Sequence, residues 1–268
     1  MNPPSRIPFY KAEACGNDFL IVELQHMGTD PAALTRRLCD RHRGIGADGV
    51  EWVTLQSDGR VHARLFNADG SAAEISGNGT RCVAAWVVET RGGSEVQVIT
   101  SAGEKECMLL RRSDNEFEFM VEMGRAEVLG ISRIQIPNGT AQGTVVSTGN
   151  PHFVEFVEEF SRGWEARAAA IAQSPEFPQG TNVEFVRVLA RNKLEFRIFE
   201  RGAGETQSSG TGSCASAIAA IHAGKATSPV EVRAPGGMQV VHWNGSDALL
   251  LEGPARLVCK GEFFSTIV

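Results

Sequence analysis

A chain of 268 residues with a net charge of −6, 42% hydrophobic and 22% charged residues, has the make-up of a globular protein with one large core or two ordinary ones. No Lys/Arg-rich block supports a nucleic-acid partner, and no apolar run approaches bilayer-spanning length, "CVAAWVV" being far too short. The opening "MNPPSRIPFYK" lacks the apolar stretch of a secretory signal, so the expectation is a cytoplasmic chain with reduced thiols.

In chain order, "DFLIVEL" (18–24) reads as a strand and "DPAALTRRLCDRH" (30–42) as a helix. "GVEWVTL" (49–55) and "VHARLF" (61–66) have the β-branched and aromatic texture of strands. The turn "SGNGTRC" (76–82) runs into "TRCVAAWVVET" (80–90), which is apolar nearly all round and therefore a buried helix. "SEVQVIT" (94–100) and "NEFEFMVEM" (115–123) are further strands, and the crossover between halves is expected around "RRSDNEFEF" (111–119). A second helix pair follows, "GWEARAAAIAQS" (163–174) and, after the turn "SGTGSC" (209–214), "GSCASAIAAIHAG" (212–224). Strands "PVEVRA", "MQVVHW" and "ALLLEG" close the chain.

The two halves repeat at an offset of 133 residues, without a gap from Asn17 to Gly103. "GVEWV" falls on "NVEFV" (182–186), "RLFNADG" (64–70) on "RIFERGA" (197–203), and Ser76 on Ser209. This is an internal duplication. The expected architecture is α+β: two pseudo-symmetric domains, each a strand-rich barrel or roll around a central buried helix. The first domain is read as 1–115 with a C-terminal strand 258–268, the second as 116–257.

Each glycine turn opens a buried helix. Unpaired N–H groups and the positive end of the helix dipole make such a start an anion cradle. Taken singly, each turn is as well explained by tight helix packing; the symmetric pair favours a site. Two facing starts would hold a carboxylate and set residues 76 and 209 on opposite faces of its α-carbon. Inversion of that carbon needs one group to remove a proton and another to return one from the far side.

These segments resemble the diaminopimelate epimerase family of cofactor-independent amino-acid epimerases. The resemblance runs through "GNDF" (16–19), "RHRGIGADG" (41–49), "FNADGS" (66–71), "GNGTRC" (77–82), "TGNPH" (148–152), "TNVEFV" (181–186), "ERGAGET" (200–206) and "GTGSC" (210–214). It implies interconversion of LL- and meso-diaminopimelate, a small-molecule substrate, no cofactor and no metal. It also implies that Asn17, Asn67, Asn150, Asn182, Glu200 and Arg201 hold the substrate's amino and carboxylate groups. The reacting carboxylate would rest on Gly77–Asn78 and Gly210–Thr211. Residue chemistry agrees: Asn donates and accepts, Glu200 suits an ammonium, and Arg201 can clamp a carboxylate. His152 is an auxiliary candidate, although an isolated His is more often structural. No nucleic-acid or membrane partner is expected. A homodimer is allowed, since oligomeric state is not readable from the residues.

One departure concerns chemistry. The family carries cysteines as acid/bases immediately before "GNG" and "GTG", where this chain has Ser76 and Ser209. A thiol, with a reference pKa of ~8.5, can be tuned to a thiolate at a helix start, whereas a serine hydroxyl is a poor base without a partner. Replacement of both cysteines and natural variation with changed chemistry both fit. Cys82 and Cys214 lie about a turn or more inside the helices and cannot simply substitute. A lesser departure is Gly49, where some family members carry a side chain that reaches the substrate.

Other readings are weaker. "GIGADG" (44–49) matches a dinucleotide fingerprint by letter, but the expected helix precedes it and the strand follows. Neither serine sits in a GxSxG elbow, and Cys15, Cys39, Cys82, Cys107, Cys214 and Cys259 form no CxxC pair. A related racemase with another substrate, or an amino-acid binder without catalysis, stays open beside the epimerase.

Overall fold

The computed structural model describes residues 5–137, 139–245 and 248–265. They divide into two compact units, one running to Val121 and resuming at Pro254, the other Glu122–Gly253. Residues 1–4 and 266–268, the outer ends of the first expected domain, lie outside the described residues.

The first unit contains β1 (Ser5–Ala14), β2 (Asn17–Glu23), α1 (Pro31–Cys39), β3 (Gly49–Leu55), β4 (Val61–Asn67), β5 (Ala72–Ala73), α2 (Gly77–Arg91), β6 (Glu95–Thr100), β7 (Gly103–Ser113) and most of β8 (Glu116–Gly124). β2 and β3 run parallel, joined over α1, and β3 and β4 are antiparallel. The second unit repeats this with β9 (Glu127–Ile136), β10 (Gly139–Ser147), β11 (Pro151–Phe156), α3 (Trp164–Ala172), β12 (Asn182–Ala190), β13 (Lys193–Glu200), β14 (Gly204–Thr206), α4 (Gly210–His222), β15 (Val230–Ala234) and β16 (Gly237–His242). β17 (Leu249–Ser265) pairs with β16 early and with β1 later in its length.

The duplication holds at the level of coordinates. α1 and α3 coincide at both ends under the offset of 133, and β3 and β12, like α2 and α4, start together. The cores correspond too. Leu20, Leu38, Val50 and Trp52 pack together in one unit, and their equivalents Phe153, Ile171, Val183 and Phe185 do so in the other.

α2 and α4 are the central helices. Gly77 through Val88 are all buried, as are Gly210 and Gly212 through Ala220. β3 lies between α1 and α2, so its residues Gly49 through Val53 are all buried rather than alternating. Alternation along a strand sends Val50 and Trp52 toward α1 and Glu51 toward α2. Glu184 on β12 is placed likewise against α4. A carboxyl thus enters each interior beside the start of the central helix.

"RRSDNEFEF" forms the turn of the β7–β8 hairpin, with Asp114 at φ 51, and passage between the compact units comes later, at Val121–Glu122 within β8. β1, β5, β7, β9, β10, β11 and β14 were not among the expected strands, and β12 and β13 were reached only as the repeat counterparts of β3 and β4.

Candidate functional site

Ser76 precedes α2 with extended backbone, φ −126 and ψ 122, and its Oγ accepts from the Gly79 amide at 3.0 Å. Its carbonyl accepts from the Thr80 amide and hydroxyl, both at 2.8 Å. Ser209 repeats this before α4: Oγ accepts from Gly212 N at 3.3 Å and the carbonyl from Ser213 N at 2.9 Å. The expected helix starts, Thr80 and Gly212, therefore move back to Gly77 and Gly210, because each serine is an N-cap. The cap uses the third and fourth amides of each helix. The first two amides, at Gly77–Asn78 and Gly210–Thr211, are those expected to hold an anion.

In the first unit, Arg81 lies behind this start, fully buried. It donates to the Pro254 carbonyl at 3.0 Å, the Gly77 carbonyl at 3.2 Å and Asn78 Oδ1 at 2.6 Å. Asn78 Nδ2 in turn donates to Asn17 Oδ1 at 3.4 Å, and Asn17 Nδ2 to Asp48 Oδ2 at 2.7 Å. Asn17 and Asn78 are thus brought together by a string of amides anchored on a buried guanidinium. Arg41 bridges Asp18 and Asp48 at 2.8 Å each, and Lys11 reaches Asp18 at 2.8 Å. Burial pushes the Asp18 carboxyl up, but bonds from Arg41 and Lys11 outweigh it and hold the group below its ordinary range. Asn67 is the exposed last residue of β4, donating to Ser71 Oγ at 3.0 Å. It is set beside Asp48 by its pairing with Gly49 across β3–β4 and by its neighbour Ala68, whose amide meets the Asp48 carbonyl.

In the second unit, His152 Nε2 is 3.0 Å from Asn150 Oδ1, which also accepts from Thr148 Oγ1 at 3.1 Å. His152 Nδ1 is 2.6 Å from Glu184 Oε1. With Asn150 Oδ1 receiving two donors, its Nδ2 is the end left to donate. Asn182 Nδ2 donates to the Pro151 carbonyl and its Oδ1 accepts from Arg201 N at 2.9 Å. This tie fixes the backbone from which the exposed Arg201 side chain passes over Gly180 by its methylenes to donate to the Gln179 carbonyl at 3.3 Å. Glu200 Oε1 accepts from Thr206 Oγ1 at 2.6 Å. Thr211 Oγ1 lies 3.3 Å from Ser209 Oγ.

His152 is therefore more than an isolated ring. The residues that sequence reasoning passed over are Arg81, Asp48, Glu51 and Glu184. Arg81 sat inside a quoted motif without a role, and the two glutamates were read only as strand positions. The signal available was their coincidence under the repeat, an acidic residue at the same place in two otherwise apolar strands. Cys82 is buried and its thiol is pushed well above the usual range, chiefly by burial. A side chain at Gly49 would meet the Phe66 carbonyl at 2.8 Å, so the bulkier residue of some relatives does not fit here without a shift. Among the described residues no group of three or more His, Cys, Asp or Glu is placed to hold a metal, and no helix is long and apolar enough to cross a membrane.

The sequence model of a family described as diaminopimelate epimerase matches residues 9–129 and 144–258. A diaminopimelate epimerase of Moorella thermoacetica is 38% identical, with 95% of this chain and 98% of that protein aligned. One from Microcystis aeruginosa is 36% identical, with 96% and 98% covered. Among solved structures, a predicted epimerase from Pseudomonas aeruginosa superposes with TM-score 0.72 at 16% identity, covering 98% of this chain and 100% of that one. A hydroxyproline epimerase from Agrobacterium vitis gives TM-score 0.70 at 14% identity, covering 100% and 96%. These last two likenesses concern the fold.

Proposed function

This chain belongs to the diaminopimelate epimerase family, and from that premise we propose that it binds diaminopimelate and interconverts the LL and meso forms by cofactor-independent proton transfer at the α-carbon. The observation that carries the reading is the pair of N-caps, Ser76 and Ser209, related by the repeat and bonded alike to the third amide of a buried helix.

On this reading the reacting carboxylate lies on the first amides of α2 and α4, at Gly77–Asn78 and Gly210–Thr211. Each helix end favours an anion by about 0.3–2 kcal/mol, and charge growing toward that carboxylate as the α-proton leaves is favoured by both. Asn17, Asn67, Asn150, Asn182, Glu200 and Arg201 hold the remaining amino and carboxylate groups. Residues 76 and 209 address opposite faces of the α-carbon, one taking the proton and the other returning one. Serine at both positions binds the ligand but removes the proton slowly, because its hydroxyl titrates far above neutrality. The reading places the protein in the cytoplasm, in lysine and peptidoglycan precursor synthesis.

Solvent deuterium uptake at the α-carbon of LL-diaminopimelate tests it. Slow uptake by the serine form and fast uptake by Ser76→Cys/Ser209→Cys are expected. Binding without uptake in the restored protein would make the chain a binder only, and uptake on a different amino acid would change the substrate.

A further inference from the structure

The two half-sites are alike in backbone but not in charge. Glu51 and Glu184 are related by the repeat, and each puts a carboxylate oxygen against the glycine at the third position of the central helix. A Cβ at Gly79 would collide with Glu51 Oε1 and lie 3.2 Å from Ser76 Cβ; at Gly212 it would lie 3.1 Å from Glu184 Oε1 and 3.2 Å from Ser209 Cβ. Each glutamate therefore borders the glycine whose amide the capping serine binds.

Their partners differ. Glu184 faces His152, whereas strand register puts Phe19 at the place equivalent to His152 in the first unit. Glu51 is 3% exposed, and among the described residues its carboxyl has no hydrogen-bond or ion-pair partner. Charged side chains on the neighbouring elements point elsewhere. On β2, Asp18 is tied to Lys11 and Arg41, and Glu23 to Gln25. On α1, Arg36 reaches the Asp69 carbonyl and Arg37 stacks on Phe263. His62 and Arg64 of β4 are exposed, and Arg81 of α2 is turned to Asn78 and to backbone carbonyls. The titratable group left beside Glu51 is Cys82, whose ionisation Glu51 opposes.

We propose that Glu51 is a positioning residue for the acid/base place at 76: as a neutral acid it leaves the positive end of α2 to the group at 76, and as an anion it competes for it. Burial alone raises the Glu51 carboxyl to about 8, so the neutral acid prevails at neutral pH and the anion above it. The place at 209, backed by a His–Glu pair, lacks this dependence. The inference rests on reading 76 and 209 as the acid/base positions, but its test needs no substrate.

The experiment introduces a thiol at position 76 by Ser76→Cys and follows its alkylation by iodoacetamide against pH in the intact protein. The measurement is made with and without Glu51→Gln, and mass spectrometry locates each modified site. At about pH 9 the Gln variant is expected to react about threefold to tenfold faster, because no anion opposes the thiolate. Glu51→Gln in Ser209→Cys protein should leave the profile of the thiol at position 209 in place. Superimposable profiles at position 76, or equal shifts at both sites, would overturn the proposal. Should Glu51→Gln fail to fold, the Ser76→Cys protein alone decides. The titration of its introduced thiol must be broadened and flattened above about pH 8, near the Glu51 value, and a simple one-proton curve refutes the coupling. Failure to epimerise any substrate would count against the proposed function and leave these thiol profiles unaffected.

Discussion

His152 Nδ1 lies 2.6 Å from Glu184 Oε1, with neither side chain exposed. Asn150 Oδ1 takes the other ring nitrogen, so one proton is shared within the pair whichever partner carries it. Burial pushes the Glu184 carboxyl up and His152 partly offsets this. Glu184 Oε2 has no partner among the described residues. His152→Ala would leave a buried carboxyl with nothing to bind. Urea denaturation at neutral pH should show a loss of about 3–5 kcal/mol, with part recovered in His152→Ala/Glu184→Leu.

The serine caps carry a stability signature that is separate from chemistry. Ser76→Ala and Ser209→Ala should each cost about 0.5–2 kcal/mol by removing the acceptor for Gly79 N or Gly212 N. Substitution by Gly should cost only a few tenths. Equal thermal midpoints for Ala variant and parent would show that the caps contribute nothing.

Glu51 makes stability depend on pH with a definite sign. Its folded value, about 8, is above the unfolded value of about 4.5, so the folded state holds the extra proton in between. Its contribution is fully present below the unfolded value and declines as pH rises, until it is lost at about 8. Between those limits the decline amounts to about 3–5 kcal/mol, and Glu51→Gln should abolish it. Denaturation midpoints measured from pH 5 to 9 (roughly the window these values define) would reveal the slope. A parent curve parallel to that of the variant would contradict the assignment.

Arg81 should be intolerant of lysine. Its fork serves Pro254 O, Gly77 O and Asn78 Oδ1 at once, which a single ammonium cannot do. Arg81→Lys is expected to lose about 2–4 kcal/mol and to weaken ligand binding through Asn78 and Asn17. Calorimetric titration with LL-diaminopimelate reads the second effect, and unchanged affinity would separate Arg81 from the site.

Much of the fold was legible because the chain spells it twice. β3 was readable over its whole length, and α1 to within a few residues, since side-chain texture and apolar periodicity are local signals. The start of α2 was misplaced by one turn because glycines weaken the helical pattern, and what sets the boundary is the Ser76 hydroxyl, a hydrogen bond rather than a propensity. β9 and β10 escaped notice for another reason: Gly130, Gly139 and Gly143 dilute their strand texture, and their stability comes from pairing with each other. For the candidate site, the motifs supply the amide-bearing residues as expectations. They do not supply the buried charges. Arg81, Glu51 and Glu184 look like surface residues until the packing of α2 and α4 shows what encloses them.

The most direct test of the central claim compares product handedness across Ser76→Cys, Ser209→Cys and the double replacement, each given LL-diaminopimelate and assayed by chiral chromatography. The account predicts that the double protein forms meso-diaminopimelate at least about a hundredfold faster than either single one, since inversion needs an efficient acid/base on both faces. Equal rates from one thiol and two, or no inversion with both thiols in place, would contradict it.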